Sequence, residues 1–257
     1  AATERGGLAP DLADGILRRA KDRSAVLLGC GAGDDPDTAG LMVELCSRLE
    51  LPLLVDADGL NAFGRVGAEP RFAASTVITP HAGELSRLVG TGAAEIEADR
   101  LAAAARAARQ MGCVVLLKGA PTVVADPGGR LALVGAGGPE LATAGSGDVL
   151  AGLMGGFLAH RAARSSSTES ARCVAAAVYA HGLAARLAAA GGAPIVATDV
   201  IDTMGEAIAA LRQPVAPRRL VRIFPLVQAA AGQAEATPVG FPHAQQPAVM
   251  PDGDAGA

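Results

Sequence analysis

Along the first half of the chain, short apolar runs alternate with longer amphipathic stretches, and most runs end in a glycine- or aspartate-rich turn. The runs cover residues 25–28, 52–56, 75–79 and 113–117, then 123–125 and 131–134. They are too short and too evenly apolar or β-branched for helices, so they predict strands buried on both faces. Residues 11–21, 37–49 and 95–111 predict helices between them; the second carries Leu41, Val43, Leu45 and Leu49 at helical spacing. Strand–helix–strand alternation implies a parallel sheet, because parallel neighbours need a long crossover. The last two runs flank Asp126-Pro127-Gly128-Gly129, which predicts a hairpin. Further on, residues 148–161 and 171–190 predict helices joined by a polar surface connection over 164–170. Gly191-Gly192 stops the second, and Thr198 or Asp199 caps a final helix reaching Leu211.

Composition narrows the class. Half of the 257 residues are hydrophobic, with 33 glycines and six aromatics, which suits an α/β domain of small-residue helices on an aliphatic sheet. A net charge of −4, no Trp and a single Tyr argue against a nucleic-acid partner. No apolar run is expected to reach membrane-spanning length, and no signal peptide is visible. Cys30, Cys46, Cys113 and Cys173 are scattered without metal-ligand spacing and read as reduced, buried thiols of a cytoplasmic protein. Residues 213–257 hold seven of the sixteen prolines and little periodicity. The expected organisation is therefore a domain over 1–212 and a Pro-rich, disordered tail over 213–257, in which only 220–228 could dock.

Polar residues gather after the predicted strands. Gly29-Cys30-Gly31-Ala32-Gly33 follows the first and is either a ligand-contacting turn or merely a tight one. Asp56-Ala57-Asp58-Gly59-Leu60-Asn61 follows the second and can hold a hydroxyl ligand or metal, although capping of the next turn is the commoner use. Pro80-His81-Ala82-Gly83-Glu84 follows the third, and Lys118-Gly119-Ala120-Pro121-Thr122 the fourth. The Lys118 ammonium ends an apolar run and must find water or an anion. Ala144-Gly145-Ser146-Gly147-Asp148 then enters a helix. Its free N–H groups form an anion hole beside a carboxylate, a pairing suited to phosphoryl transfer to a hydroxyl. The competing reading is a glycine turn with an aspartate favoured by the helix dipole. His181, within the long predicted helix, reads as packed or capping rather than catalytic.

GCGAG, VDADGLN, TPHAGE, KGAPT, AGSGDVLAG and AVYAHGLA occur in the order found in ADP/ATP-dependent NAD(P)H-hydrate dehydratases, and the chain resembles that family over residues 25–211. These enzymes are a branch of the ribokinase-like superfamily. The resemblance implies a three-layer α/β/α fold with a mainly parallel central sheet. It implies a hydro-lyase that phosphorylates the hydroxyl of hydrated NADH or NADPH with ADP or ATP and Mg²⁺, then eliminates phosphate. Asp148 corresponds to the catalytic base at the hydrated nicotinamide. Gly31, Gly33 and His81, with Asp148, correspond to substrate contacts. Lys118, Gly119, Ala120, Pro121, Thr122 and Gly147 correspond to the nucleotide site, and Asn61, Glu84, Gly145 and Ser146 are placed near phosphate or Mg²⁺. No direct metal ligand is assigned.

Two departures stand out. Ser146 replaces the family's Thr and keeps the hydroxyl. The family domain also begins with an earlier βα segment that the chain is expected to lack, which would expose an apolar sheet edge. Two alternatives accompany this reading: a ribokinase-like kinase of small-molecule hydroxyls, and a non-catalytic nucleotide-binding remnant. Assembly into a homo-oligomer is expected.

Overall fold

The structure is a computed structural model that describes residues 2–3, 5–72, 75–160 and 166–211, and the backbone of 222–225. A seven-stranded sheet runs through it in sequential order, β1 (Val26–Leu28), β2 (Leu53–Val55), β3 (Thr76–Ile78), β4 (Val114–Leu117), β5 (Thr122–Ala125), β6 (Arg130–Val134) and β7 (Arg222–Pro225). Strands β1 to β4 pair in parallel, as the buried runs and intervening helices require. β5 and β6 form the expected hairpin, and β4–β5, β5–β6 and β6–β7 pair antiparallel. The disordered tail expected over 213–257 lies outside the described residues except for β7, inside the stretch that could dock.

Successive residues of a strand face opposite sides, and the two layers of helices divide accordingly. Val55, Ile78, Val115 and Leu117 join one core with α2 (Pro36–Arg48), α3 (Asp58–Val66), α4 (Ala82–Val89) and α6 (Arg100–Met111). Leu54, Val77, Val114 and Leu116 join the other with α7 (Ser146–Leu158) and α8 (Ser167–Ala188). The first layer also holds α1 (Ala13–Ala20) and α5 (Ala93–Ala98), while α9 (Ala197–Ala210) packs on α8 through Ala184, Ala185, Val200 and Ala207. This is the three-layer α/β/α arrangement.

Several elements differ from expectation. The helix expected over 95–111 is two, because Asp99 leaves helical geometry (φ −143°, ψ 77°) and its carboxylate caps Ala102 N–H of α6. The polar stretch ending at residue 170 is already helical from Ser167, since Ser166 Oγ accepts from Glu169 N–H. Cys30 and Cys173 are only half-buried, whereas Cys46 and Cys113 are buried as expected. Ser167–Gly191, 25 residues long with an 18-residue window of mean hydropathy 1.4, is by length and composition apolar enough to cross a membrane, which corrects the expectation that no such run exists. Half of its most apolar window is buried inside the fold, where Val174, Ala177 and Val178 meet the sheet.

Candidate functional site

Because β1 to β4 run in parallel, their following turns emerge at one edge of the sheet. The charge concentrated there is internally paired. Lys118 Nζ lies 2.7 Å from Asp56 Oδ1 and 3.7 Å from Glu84 Oε2. The two carboxylate side chains are almost fully buried, at 3% and 6% exposure. Asp56 Oδ1 also accepts from Ala57 N–H, and Ala57 is the one non-glycine residue with positive φ (48°) among the described residues. Strain of this kind persists where the surroundings over-determine the backbone, and it recurs at functional sites.

His81 is the N-cap of α4. Its Nδ1 accepts from Gly83 N–H at 3.0 Å and Glu84 N–H at 3.2 Å, while Glu84 Oε2 accepts from His81 N–H at 2.8 Å. With Nδ1 used as an acceptor, the neutral ring carries its proton on Nε2, which lies 3.6 Å from Glu84 Oε1, and the side chain stays 55% exposed. Glu84 is thus committed to the cap and to Lys118. Asn61 Oδ1 accepts from Arg87 Nη2 at 2.8 Å, tying α3 to α4. Gly33 N–H donates to Asp58 Oδ2 at 2.9 Å, and Arg65 donates to Gly33 O at 2.8 Å, so the turn holding Gly31 and Gly33 is fastened to α3.

Asp148 occupies the first turn of α7, beside the dipole's positive end, and is exposed. The Cys30 thiol is hydrogen-bonded to its carboxylate. Burial, the Asp56 charge and that bond together push the thiol up to about 12, while Lys118 opposes them. Cys30 is therefore a thiol, not a thiolate, at neutral pH, and its bond links the turn after β1 to the expected base.

A cavity of about 680 Å³ opens alongside. Lys118, Gly119, Ala120, Pro121 and Thr122 form one wall, Ser146 and Gly147 another, and residues 135–138 with His181 a third. The expected nucleotide residues are therefore brought together, and Lys118 belongs to both the cavity and the charged cluster. Gly145 enters α7 at φ +83°, a left-handed geometry open to glycine at little cost; Ser146 N–H donates to Thr143 O at 3.3 Å, so the free N–H groups of the first turn are those of Gly147 and Asp148. Ser146 Oγ donates to Leu141 O at 2.7 Å and pins this loop.

Arg100 was not apparent from sequence. Its Nη2 donates to the carbonyls of Leu117, Lys118 and Pro121 at 3.1, 3.0 and 3.3 Å, and Nη1 donates to both Glu97 oxygens at 2.9 Å. One guanidinium thus shapes the Lys118-to-Thr122 loop from beneath. Its only local signal is an arginine following a helix-capping aspartate.

Among the described residues no three His, Cys, Asp or Glu side chains are grouped to hold a metal ion. Asp56 and Glu84 are already spent on Lys118 and the α4 cap.

Residues 9–205 match the family model described as NAD(P)H-hydrate dehydratase. The bifunctional NAD(P)H-hydrate repair enzyme Nnr of Moorella thermoacetica is 39% identical over 206 residues, 78% of this chain and 37% of that protein. The ADP-dependent (S)-NAD(P)H-hydrate dehydratase of Neisseria meningitidis serogroup B is 39% identical over 154 residues, 58% of this chain and 51% of that protein. The crystal structure of ADP/ATP-dependent NAD(P)H-hydrate dehydratase from Bacillus subtilis, co-crystallised with ATP/Mg²⁺ and soaked with CoA, matches with a TM-score of 0.63. It is 26% identical, over 76% of this chain and 72% of that one. The chain spans between 36% and 43% of the length of the first three curated relatives it matches.

Proposed function

The chain belongs to the NAD(P)H-hydrate dehydratase family, and from that premise we propose that it restores NADH and NADPH from their (S)-hydrates at the expense of ADP or ATP. One observation carries the reading. A cavity walled by the Lys118-to-Thr122 loop and the N-terminus of α7 adjoins, through Lys118, a rim where Asp148 and His81 remain exposed.

In this reading the nucleotide lies in the cavity with its terminal phosphate at the Gly147 and Asp148 N–H groups of the first turn of α7. Asp148 takes the proton of the hydrate's hydroxyl, whose oxygen attacks that phosphoryl group as AMP or ADP departs. The nicotinamide nitrogen lone pair then expels phosphate, and loss of a proton from the neighbouring ring carbon restores the double bond. Helix N–H groups and the Lys118 ammonium stabilise charge on the transferring group. The Gly31 and Gly33 turn and His81 Nε2 hold the substrate. Mg²⁺ enters as the counter-ion of the nucleotide's phosphates, and a cytoplasmic homo-oligomer is part of the same proposal.

Recovery of absorbance at 340 nm from hydrated NADH, with ADP and then with ATP, tests this directly. Nucleotide-dependent recovery with stoichiometric phosphate release is expected. A phosphorylated product that is retained would instead identify a hydroxyl kinase, and nucleotide binding without turnover a non-catalytic protein.

A further inference from the structure

The AVYAHGLA segment lies on α8, far in sequence from the other site motifs, yet it closes the cavity. Gly182 lets α8 and the 135–138 segment touch backbone to backbone: a Cβ there would collide with the backbone of Ala136 and Gly137. Arg186 Nη2 reinforces the contact by donating to Gly137 O at 3.3 Å. His181, one residue earlier, is thereby set into the cavity wall beside the backbone of Ser146.

Four residues of the cavity wall have polar side chains, and three of them are committed. Lys118 Nζ is held by Asp56, Thr122 Oγ1 donates to Gly119 O at 3.0 Å, and Ser146 Oγ donates to Leu141 O. The fourth, His181, is 4% exposed, and its Nε2 is buried with no hydrogen-bond partner. An unsatisfied buried polar atom is costly, so one left this way in the wall of a cavity points to a bond completed on binding. Burial lowers the affinity of this ring for a proton, against an opposing contact to the Ser146 backbone. A neutral imidazole is a poor counter-ion for phosphate and a good partner for an uncharged polar edge.

We propose that His181 is the side chain that reads the nucleoside part of the nucleotide, completing its Nε2 hydrogen bond to the base or ribose while the α7 N-terminus takes the phosphates. This rests on the nucleotide-dependent reading above and adds to it a division of labour within the cavity: phosphate recognition by backbone amides, nucleoside recognition by α8.

The test is titration calorimetry of the full chain, wild type, His181→Leu and His181→Gln, with ADP and with inorganic tripolyphosphate as a phosphate-only probe. Circular dichroism and thermal melting report whether each variant is folded. We expect His181→Leu to weaken ADP about five- to tenfold, the worth of one neutral hydrogen bond, with tripolyphosphate unchanged and the Gln variant restoring most of the loss. A raised KM for nucleotide with kcat nearly constant is the kinetic counterpart. ADP binding within twofold of wild type in the Leu variant overturns the inference alone. So does parallel weakening of both probes, in whichever variant folds, because that marks a structural role. Failure of the unaltered chain to bind ADP overturns the functional reading and this inference together.

Discussion

The charged rim and the adjoining cavity solve opposite problems. At the rim, buried charges satisfy one another: Asp56 and Glu84 flank Lys118, and Glu84 also closes the α4 cap with His81. In the cavity wall, the polar capacity is backbone N–H at a helix start and one unpartnered imidazole nitrogen. The rim is internally paired, whereas the cavity wall keeps one buried imidazole nitrogen without a partner. A protein that moves a phosphoryl group needs both, since fixed charge placement lowers the barrier and unpaired donors supply nucleotide affinity.

The comparison breaks most sharply at Asp148, the exposed acid in the first turn of α7. Asp148→Asn keeps the shape and the α7 start but removes the base, so turnover should fall roughly 10²- to 10⁴-fold. ADP affinity should stay within about threefold, because the affinity is assigned to the cavity. Single-turnover measurements beside calorimetry check both. Turnover close to that of the parent would remove Asp148 from the chemistry.

Lys118 comes next. Lys118→Met strands the Asp56 carboxylate, 3% exposed, without its partner. Breaking a buried pair from one side costs about 3–5 kcal/mol, and the lower end applies because the Lys118 side chain is 24% exposed. The double variant Lys118→Met, Asp56→Asn should recover much of that stability but not nucleotide affinity. Urea unfolding and ADP titration separate the two. If the single and double variants are equally unstable, the pairing is not what holds the rim.

How much of this was legible in the chain depends on where each signal lies. The strands were legible because burial on both faces leaves uninterrupted apolar runs, as in Val114–Leu117. Helices α3 and α4 were not, because their first turns, Asp58-Gly59-Leu60-Asn61 and Ala82-Gly83-Glu84, contain glycine and read as polar site loops. The capping box between His81 and Glu84 was the available sign of α4. The glycine-flanked polar residues of the rim were legible as a group since they follow parallel strands directly. Their partners were not: the carbonyls Arg100 holds lie 17 to 21 residues away, and the Asp56–Lys118 contact spans 62. Those pairings exist only once β2 and β4 are placed on either side of β3.

Arg100 gives a smaller effect that sharpens the same contrast, since it shapes the cavity without entering the charged cluster. Arg100→Met leaves the carbonyls of Leu117, Lys118 and Pro121 without their shared donor, and ADP affinity should weaken about tenfold, on the scale of one charged hydrogen bond. Arg100→Lys should restore part of it, because an ammonium reaches fewer of those carbonyls than a planar fork. Calorimetry with thermal melting measures this. An unchanged affinity in the Met variant would show that the loop holds its shape unaided.

The smallest effect is in pH, and it reports on His181 as a buried neutral group. Burial holds its proton affinity in the fold below that of the unfolded chain, where an imidazole titrates near 6.5. As pH falls through about 6.5, the unfolded state therefore binds more protons at this residue than the folded state. Stability then rises with pH in that window, so the contribution is full above it and is lost progressively on acidification. His181→Asn lacks the group, while the other three histidines are common to both proteins and cancel in the difference. The stability gap between wild type and His181→Asn should thus be constant above about pH 7 and narrow toward pH 5, as read from urea midpoints at each pH. Saturating ADP, by completing the Nε2 bond, should change the acid slope of wild type and leave that of the variant as it was. A gap that widens toward pH 5 would mean that the fold favours the charged ring, and His181 would then belong to the phosphate-binding side of the cavity after all.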